Sequence, residues 1–453
     1  MRDLSSIVKA YDVRGVVPDQ LDEDVARALG AAFVHFTGAD RLVTARDMRS
    51  SSPALAAAFA GGATGAGADV IDAGLGSTDL LYFASGSLAL PGAMFTASHN
   101  PAKYNGIKLC RAGAAPVGQD SGLREVRALA EHDLPPSASR GTVEHRDLLP
   151  AYARHLRGLV DLARIRPLTV VVDAGNGMAG HTVPAVLGDA VLPGLPLTVV
   201  PLYFELDGTF PHHEANPLEP ANLRDLQAKV REAGADLGLA FDGDADRCFV
   251  VDERGEPVSP SAVTALVAVR ALAQDPGATV IHNLITSSAV PEIVREHGGV
   301  PVRTRVGHSF IKEQMARTGA VFGGEHSAHY YFRDFWRADT GMLAAMHVLA
   351  ALGTQEGPLS ALTGQYARYA SSGEVNSAVA DMAGRTELVE KAYADRDGVA
   401  IDHLDGLTVA LPDGSWFNVR PSNTEPLLRL NVEAADEAGM AALRDDVLAL
   451  IRG

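Results

Sequence analysis

The sequence predicts an α/β protein of four units: three similar mixed α/β domains with mainly parallel sheets, then a smaller α+β domain at the C-terminus. Three observations predict it. Short apolar runs alternate with helical stretches along most of the chain, the pattern of strands joined through helices. Breaker and charge clusters interrupt the pattern at three places, and 453 residues exceed what one core usually holds. The final stretch departs from the alternation, with strand-like runs Leu407–Leu411 and Leu427–Val432 before a terminal helix, Glu437–Ile451.

The runs expected as buried strands are Leu42–Ala45, Val70–Ile71, Ala93–Thr96, Leu168–Val172, Leu197–Leu202, Leu237–Phe241, Cys248–Val251 and Thr279–Ile281. Helices are expected over Pro53–Ala68, Asn222–Ala233 and Ser288–His297. Strands separated by helices favour parallel pairing with helices on both faces. Linkers are expected at 133–147, at 252–261 and near 364–374, where turn residues cluster. The units are therefore 1–143, 144–254, 255–366 and 367–453.

Composition narrows the function. Hydrophobic residues make up 47% and charged residues 21%, which excludes a mainly disordered chain. The formal net charge of −17 argues against a nucleic-acid or anionic-membrane binder, because the long-range field repels phosphate polymers. A local basic pocket can still hold a small phosphorylated substrate. The two cysteines, Cys110 and Cys248, exclude a disulfide framework and argue against a cysteine zinc site. The N-terminus has no apolar signal region, and the apolar stretch 341–352 is shorter than the ~18 residues a membrane span needs. A soluble, cytoplasmic protein of a reducing compartment is expected, and the sequence carries no signal of oligomeric state. Only six basic residues are lysines, yet Lys103 and Lys108 lie five positions apart. Lysine in an arginine-rich chain suits a place where a proton must come off.

Four segments carry chemistry. In Phe95–Pro101 a strand runs into Ser98-His99-Asn100-Pro101. An exposed hydroxyl at a strand end suits a nucleophile or phosphate carrier, with His99 or Lys108 available for proton transfer; a plain Asx or Ser turn is the alternative. In Asp242–Arg247, three carboxylates alternate, so Asp242, Asp244 and Asp246 can converge on one hard cation. An EF-hand would need glycine where Arg247 stands, and a solvated acidic turn is the other reading. Gly323–His329 offers a carboxylate and hydroxyl in alternation, suited to sugar hydroxyls or simply to a glycine turn before the strand Tyr330–Phe332. Arg420–Arg429 supplies Arg, Ser, Asn and Thr donors in one loop, a phosphate cradle or a turn. One such segment falls in each unit. Together they describe phosphoryl transfer on a phosphorylated polyol, with a metal offsetting charge.

These motifs, with Lys9–Gly15, Ala45–Arg49, Asp173–Gly180, Phe210–His213, Asn216–Leu218 and Val306–Ser309, run through essentially the whole chain. The chain resembles the α-D-phosphohexomutase superfamily, most closely its bacterial phosphomannomutase/phosphoglucomutase branch. The resemblance implies four domains around a central cleft, in the order phosphoserine, metal-binding, sugar-binding and phosphate-binding. It implies that Ser98 carries a phosphoryl group, and that Asp242, Asp244, Asp246 and a phosphate oxygen on Ser98 hold Mg2+. Arg14 and Arg247 position the phosphoserine and the reacting hydroxyl. Lys108 is the implied general base and acid, and His308 is a second candidate on the sugar side. Glu325 and Ser327 hold ring hydroxyls and Tyr11 lines the site. Arg420, Ser422, Asn423 and Thr424, with Arg429 beside them, grip the phosphate that is not transferred.

The implied reaction interconverts hexose 1-phosphate and hexose 6-phosphate of mannose or glucose. A hexose 1,6-bisphosphate forms, turns over in the cleft and returns its other phosphate to Ser98; the bisphosphate also serves as activator. The partner is thus a small phosphosugar. Alternatives are a phosphoglucosamine mutase and a metal-dependent sugar phosphatase using the same serine. A catalytically silent sugar-phosphate binder is the non-enzymatic alternative. The chain departs from relatives at 281–288, where no Lys or Arg stands, and has Ala97 and Ala245 where glycine is common.

Overall fold

A computed structural model describes residues 3–422 and 427–453. The expected strands and helices form, and they assemble into four sheets. The first follows the order Val13–Val16, Tyr104–Arg111, Gly92–Phe95, Arg41–Arg46, Asp69–Leu75, Val143–His145. The second runs Pro257–Val258, Cys248–Asp252, Leu237–Phe241, Leu168–Asp173, Leu197–Leu202. The third runs Val300–Thr304, Thr279–Asn283, Phe322–Gly324, Tyr330–Phe332, Ala338–Asp339. The last is antiparallel throughout: Ala370–Ala378, Leu427–Ala434, Trp416–Pro421, Leu407–Ala410, Ala400–Asp402.

The first three sheets share one plan. A parallel block lies on one side, and antiparallel strands complete the other. The strand at the border is Gly92–Phe95, Leu237–Phe241 or Phe322–Gly324, and each passes through a loop into its antiparallel neighbour. Those three loops contain Ser98, the aspartate triplet and Glu325. Parallel strands gather ligand-binding groups at their carboxyl ends, so one repeated junction presents three of the four chemical segments. The segment 133–147 does more than link. It contributes the edge strand Val143–His145, paired in parallel with Asp69–Leu75.

Burial follows the apolar pattern. Strand Leu237–Phe241 is buried along its whole length, as its unbroken apolar run requires. The apolar stretch 341–352 becomes the helix Gly341–Gly353, buried on nearly every face and capped by Thr340, which accepts from Leu343 N. No helix among the described residues is long and apolar enough to cross a membrane. The C-terminal unit keeps its own core, in which Val389, Tyr393, Phe417 and Val447 pack between sheet and helices.

The three α/β units meet at one buried carboxylate. Asp79 Oδ2 accepts from Tyr152 Oη at 2.7 Å and from Thr340 Oγ1 at 2.6 Å, while Ser77 Oγ bonds Oδ1. Burial pushes the Asp79 carboxyl up from 3.8 to about 6, against the pull of these hydrogen bonds. The folded chain therefore binds this proton more tightly than the unfolded chain. Stability from this group is full below pH ~4 and is lost as pH rises through ~6, a swing of about 3 kcal/mol. Asp79→Asn can keep all three contacts, with its amide donating to Ser77 Oγ, and cannot ionise. Relative to wild type, the variant should gain stability between pH 4 and 7 in thermal or urea unfolding. Parallel pH profiles for the two proteins would refute the assignment.

Candidate active site

The serine loop is held from below by Arg49, to which the sequence alone assigns no role. Arg49 is 1% exposed. Its Nη2 donates to the carbonyls of Ser98 (2.9 Å) and Asn100 (2.7 Å), and its Nη1 to those of Pro101 and Tyr104, both at 3.0 Å. Asp47 holds the guanidinium in turn, through Nε at 3.2 Å. Four inward-turned carbonyls thus find donors from one side chain. Ser98 itself sits at φ +50°, a left-handed conformation that costs a residue with a Cβ about 1 kcal/mol or more. Gly243 makes the approach possible, since a Cβ there would lie 2.5 Å from the Ser98 carbonyl oxygen.

The aspartate loop meets the serine from the second sheet. Ser98 Oγ donates to Asp242 Oδ2 at 2.8 Å, and Arg247 Nε donates to the same oxygen at 2.9 Å. Arg247 Nη2 lies 2.6 Å from His99 Nδ1, which is 3.3 Å from Ser98 Oγ. Burial, then the charges of Arg247 and Arg14, hold His99 well below its ordinary pKa. His99 is therefore neutral, with Nδ1 accepting from Arg247. Arg14 joins the group through Asn100 Oδ1 and Asp12. Lys108 Nζ reaches Asp244 Oδ2 at 2.6 Å and Asp246 Oδ2 at 2.7 Å. Burial disfavours its ammonium, but Asp244 and Asp246 override that and hold its pKa well above the usual value.

The donor set suits a hard divalent cation. Single oxygens of Asp242, Asp244 and Asp246 lie within 4.8 Å of one another, and all three side chains are buried. Asp244 Oδ1 and Asp246 Oδ1 have no hydrogen-bond partner, so two buried carboxylate oxygens await one. Burial pushes Asp242 up to about 8; Arg247 opposes the rise, and Asp246 and Asp244 add to it. Burial and mutual repulsion thus oppose full ionisation of the cluster, the cost that a bound divalent cation would relieve. Ala245 stands at φ +59°, so the position where relatives often carry glycine is one that favours it.

A residue outside the sequence reading orients this loop. Thr78, at the start of the helix Thr78–Leu88, donates through Oγ1 to Asp244 Oδ2 at 2.6 Å, and its backbone N–H donates to Asp244 O at 3.0 Å. Both contacts cross between units. Nothing in the local sequence separates this threonine from a helix cap.

The third junction brings Glu325 and Ser327 to the same region. Glu325 Oε1 accepts from Asn283 Nδ2 (3.2 Å) and Gly307 N (3.1 Å), and Oε2 accepts from Tyr331 Oη (2.7 Å). Ser327 Oγ lies 2.9 Å from His329 Nδ1. His329 pairs across to Arg247 by an isolated β-bridge, and its Nε2 lies 3.8 Å from Asp246 Oδ1. The sequence assigns His329 no role, although the alternation of 325, 327 and 329 places it in line with Glu325 and Ser327. Tyr11 packs edge-on against Phe310, with ring centres 6.4 Å apart. The segment 281–288 has no cation. It instead supplies Asn283 to Glu325, and Ser288 N to Glu433 Oε1 of the C-terminal unit at 2.9 Å.

In the C-terminal unit Arg420 and Arg429 stand together, with Arg429 Nη2 donating to Ser422 Oγ at 3.2 Å. Asn423, Thr424 and the His308 side chain lie outside the described residues.

Comparison with known proteins extends these observations to the whole chain. Models of the phosphoglucomutase/phosphomannomutase alpha/beta/alpha domains I, II and III match residues 5–133, 150–255 and 259–369, and that of the C-terminal domain matches 374–450. A phosphomannomutase of Escherichia coli is 41% identical over 452 residues, covering 98% of each chain. A Xanthomonas campestris protein described as "phosphohexose mutases" is 42% identical, covering 98% of this chain and 99% of its own. A crystal structure of a phosphoglucomutase/phosphomannomutase family protein from Burkholderia thailandensis superposes with a TM-score of 0.87 at 35% identity, covering 100% of this chain and 98% of that one.

Proposed function

The chain belongs to the phosphoglucomutase/phosphomannomutase family and is an isomerase that interconverts hexose 1-phosphates and hexose 6-phosphates, and we propose that it does so through a phosphoryl group carried on Ser98, with mannose or glucose as the sugar. The observation that carries this reading is the convergence of Ser98 Oγ, three buried carboxylates and Lys108 Nζ from two units.

Asp242, Asp244 and Asp246 would hold Mg2+, and the ion, when bound, offsets negative charge on the phosphoryl group in transit. The chain's own residues do the rest. Phospho-Ser98 would yield its phosphoryl to the free hydroxyl of the hexose monophosphate, the Ser98 Oγ–phosphorus bond breaking as the new oxygen–phosphorus bond forms; Lys108 would take the hydroxyl proton once Asp244 and Asp246, which hold its ammonium in the absence of a cation, are engaged by the ion. Arg247 and Arg14 hold the serine loop, and neutral His99 lies beside Ser98 Oγ. Glu325 and Ser327 take ring hydroxyls, with Tyr11 lining the site. Arg420, Ser422, Arg429, Asn423 and Thr424 grip the other phosphate. The bisphosphate formed turns over before its second phosphate returns to Ser98, and added hexose 1,6-bisphosphate recharges serine lost to hydrolysis.

Phosphorus NMR tests the reading. Protein, Mg2+ and a trace of hexose 1,6-bisphosphate are given mannose, glucose or glucosamine 1-phosphate in parallel. The 6-phosphate of mannose or glucose is expected. Turnover of glucosamine 1-phosphate alone would move the chain to the amino-sugar mutases, and inorganic phosphate alone would make it a phosphatase.

Thr78→Val tests the metal loop separately. It removes the hydroxyl that fixes Asp244 Oδ2 and preserves shape. Affinity for Mn2+, read by paramagnetic resonance, should fall by about 10- to 100-fold. Unchanged affinity would show that Asp244 needs no such support.

A further inference from the structure

The C-terminal sheet sets two like charges against each other. Arg420 on Trp416–Pro421 and Arg429 on Leu427–Ala434 are directly paired across the ladder. Like charges so placed repel, and water screens them poorly here, because the two side chains are only 9% and 27% exposed.

A third side chain reconciles them. Glu374 Oε2 accepts from Arg420 Nη2 at 2.7 Å, and Glu374 Oε1 lies 3.3 Å from Arg429 Nη1. One carboxylate thus engages both guanidiniums, one oxygen each. A bulge aims it there. Pairing of Ala370–Ala378 with Leu427–Ala434 shifts register between Ser371 and Glu374, and Gly373 within the shift takes φ +64°, which a side chain would resist. Beyond the bulge Glu374 pairs with Asn431 and Asn376 with Arg429, so Glu374 shares a face with both arginines.

The clamp leaves donors over. The Nε groups of Arg420 and Arg429 are buried with no hydrogen-bond partner among the described residues. Burial, and then the neighbouring Arg429, weaken the hold of Arg420 on its proton, while Glu374 works the other way. Two arginines and one glutamate leave a net charge of +1, the sign that a phosphate monoester dianion requires.

We infer that Glu374 is a positioning residue: it holds Arg420 and Arg429 side by side in one fixed geometry, with their Nε–H groups left for the non-transferred phosphate. The inference rests on the reading of the 420–429 loop as the phosphate grip. It adds a residue from a strand that the loop sequence does not contain.

Steady-state kinetics with mannose 1-phosphate and glucose 1-phosphate test it, on wild type, Glu374→Ala and Glu374→Gln. Losing the charge-assisted hydrogen bond to Arg420 and the ion pair to Arg429 should raise KM about tenfold or more in Glu374→Ala, with kcat changed far less. Glu374→Gln keeps one accepting oxygen and should fall between; it carries the same test if the alanine variant does not fold. Inorganic phosphate should raise the unfolding temperature of wild type more than that of either variant. KM within twofold of wild type in both variants, or a loss confined to kcat, would overturn the positioning role. Absence of turnover in wild type would overturn the mutase reading, and this inference with it.

Discussion

Ser98→Ala should fold as wild type does and lose mutase turnover by about 10⁴-fold or more, the scale on which removing a covalent nucleophile acts. Folding should survive because the hydroxyl contributes little to the loop's shape. Arg49 holds the loop through backbone carbonyls, including that of Ser98. Asp242 keeps its contacts with Arg247 when Ser98 Oγ is gone. Alanine tolerates φ +50° no worse than serine does. The lost hydrogen bond to Asp242 is worth about 1 kcal/mol. Phosphorus NMR of the isolated proteins, thermal unfolding and coupled turnover assays check the prediction together. A variant that unfolds with wild-type cooperativity and retains turnover within tenfold would remove Ser98 from the phosphoryl path.

Lys108 carries the second large effect, and two substitutions separate its roles. As a counter-charge, its ammonium bridges Asp244 and Asp246. Lys108→Met should therefore destabilise the chain in chelator by about 3–5 kcal/mol, because it leaves two buried carboxylates facing each other. Added divalent cation should restore most of that loss. Lys108→Arg keeps a positive charge, and its stability in chelator should stay nearer wild type. Its turnover should nevertheless fall by about 10²-fold or more, because a guanidinium does not give up a proton. An active Lys108→Arg enzyme would leave Lys108 as a counter-charge alone. Unfolding curves with and without Mn2+, beside turnover rates, distinguish the outcomes.

Much of the site was legible because its parts are contiguous. Ser98-His99-Asn100-Pro101 and Asp242–Arg247 are short loops, each bearing its chemistry within a few residues after an apolar strand. The strands were legible for the same reason: an unbroken run such as Leu237–Phe241 can lie only between two covered faces. The resemblance supplied roles for Glu325 and the 420–429 loop that residue types alone left open.

Other parts were invisible because their partners are distant along the chain. Arg49 reads as one arginine among 33, and nothing nearby shows that it binds carbonyls some 50 residues on. Thr78 reads as a helix start, although it holds Asp244 from 166 residues away. The segment 133–147 reads as a linker because turn residues dominate it, and strand Val143–His145 exists only where Asp69–Leu75 offers an open edge.

The sequence by itself determined the fold class, the order of the units, and the serine, carboxylate and arginine groups that the proposed reaction uses. Periodicity, turn chemistry and side-chain functional groups are local properties and can be read one segment at a time. The tertiary structure alone decided which group faces which. Ser98 meets Asp242 across 144 positions, Lys108 spans two carboxylates, and Glu374 joins two arginines. Protonation follows from those meetings, because burial and neighbouring charge, rather than residue type, set whether His99 is neutral or Lys108 an ammonium.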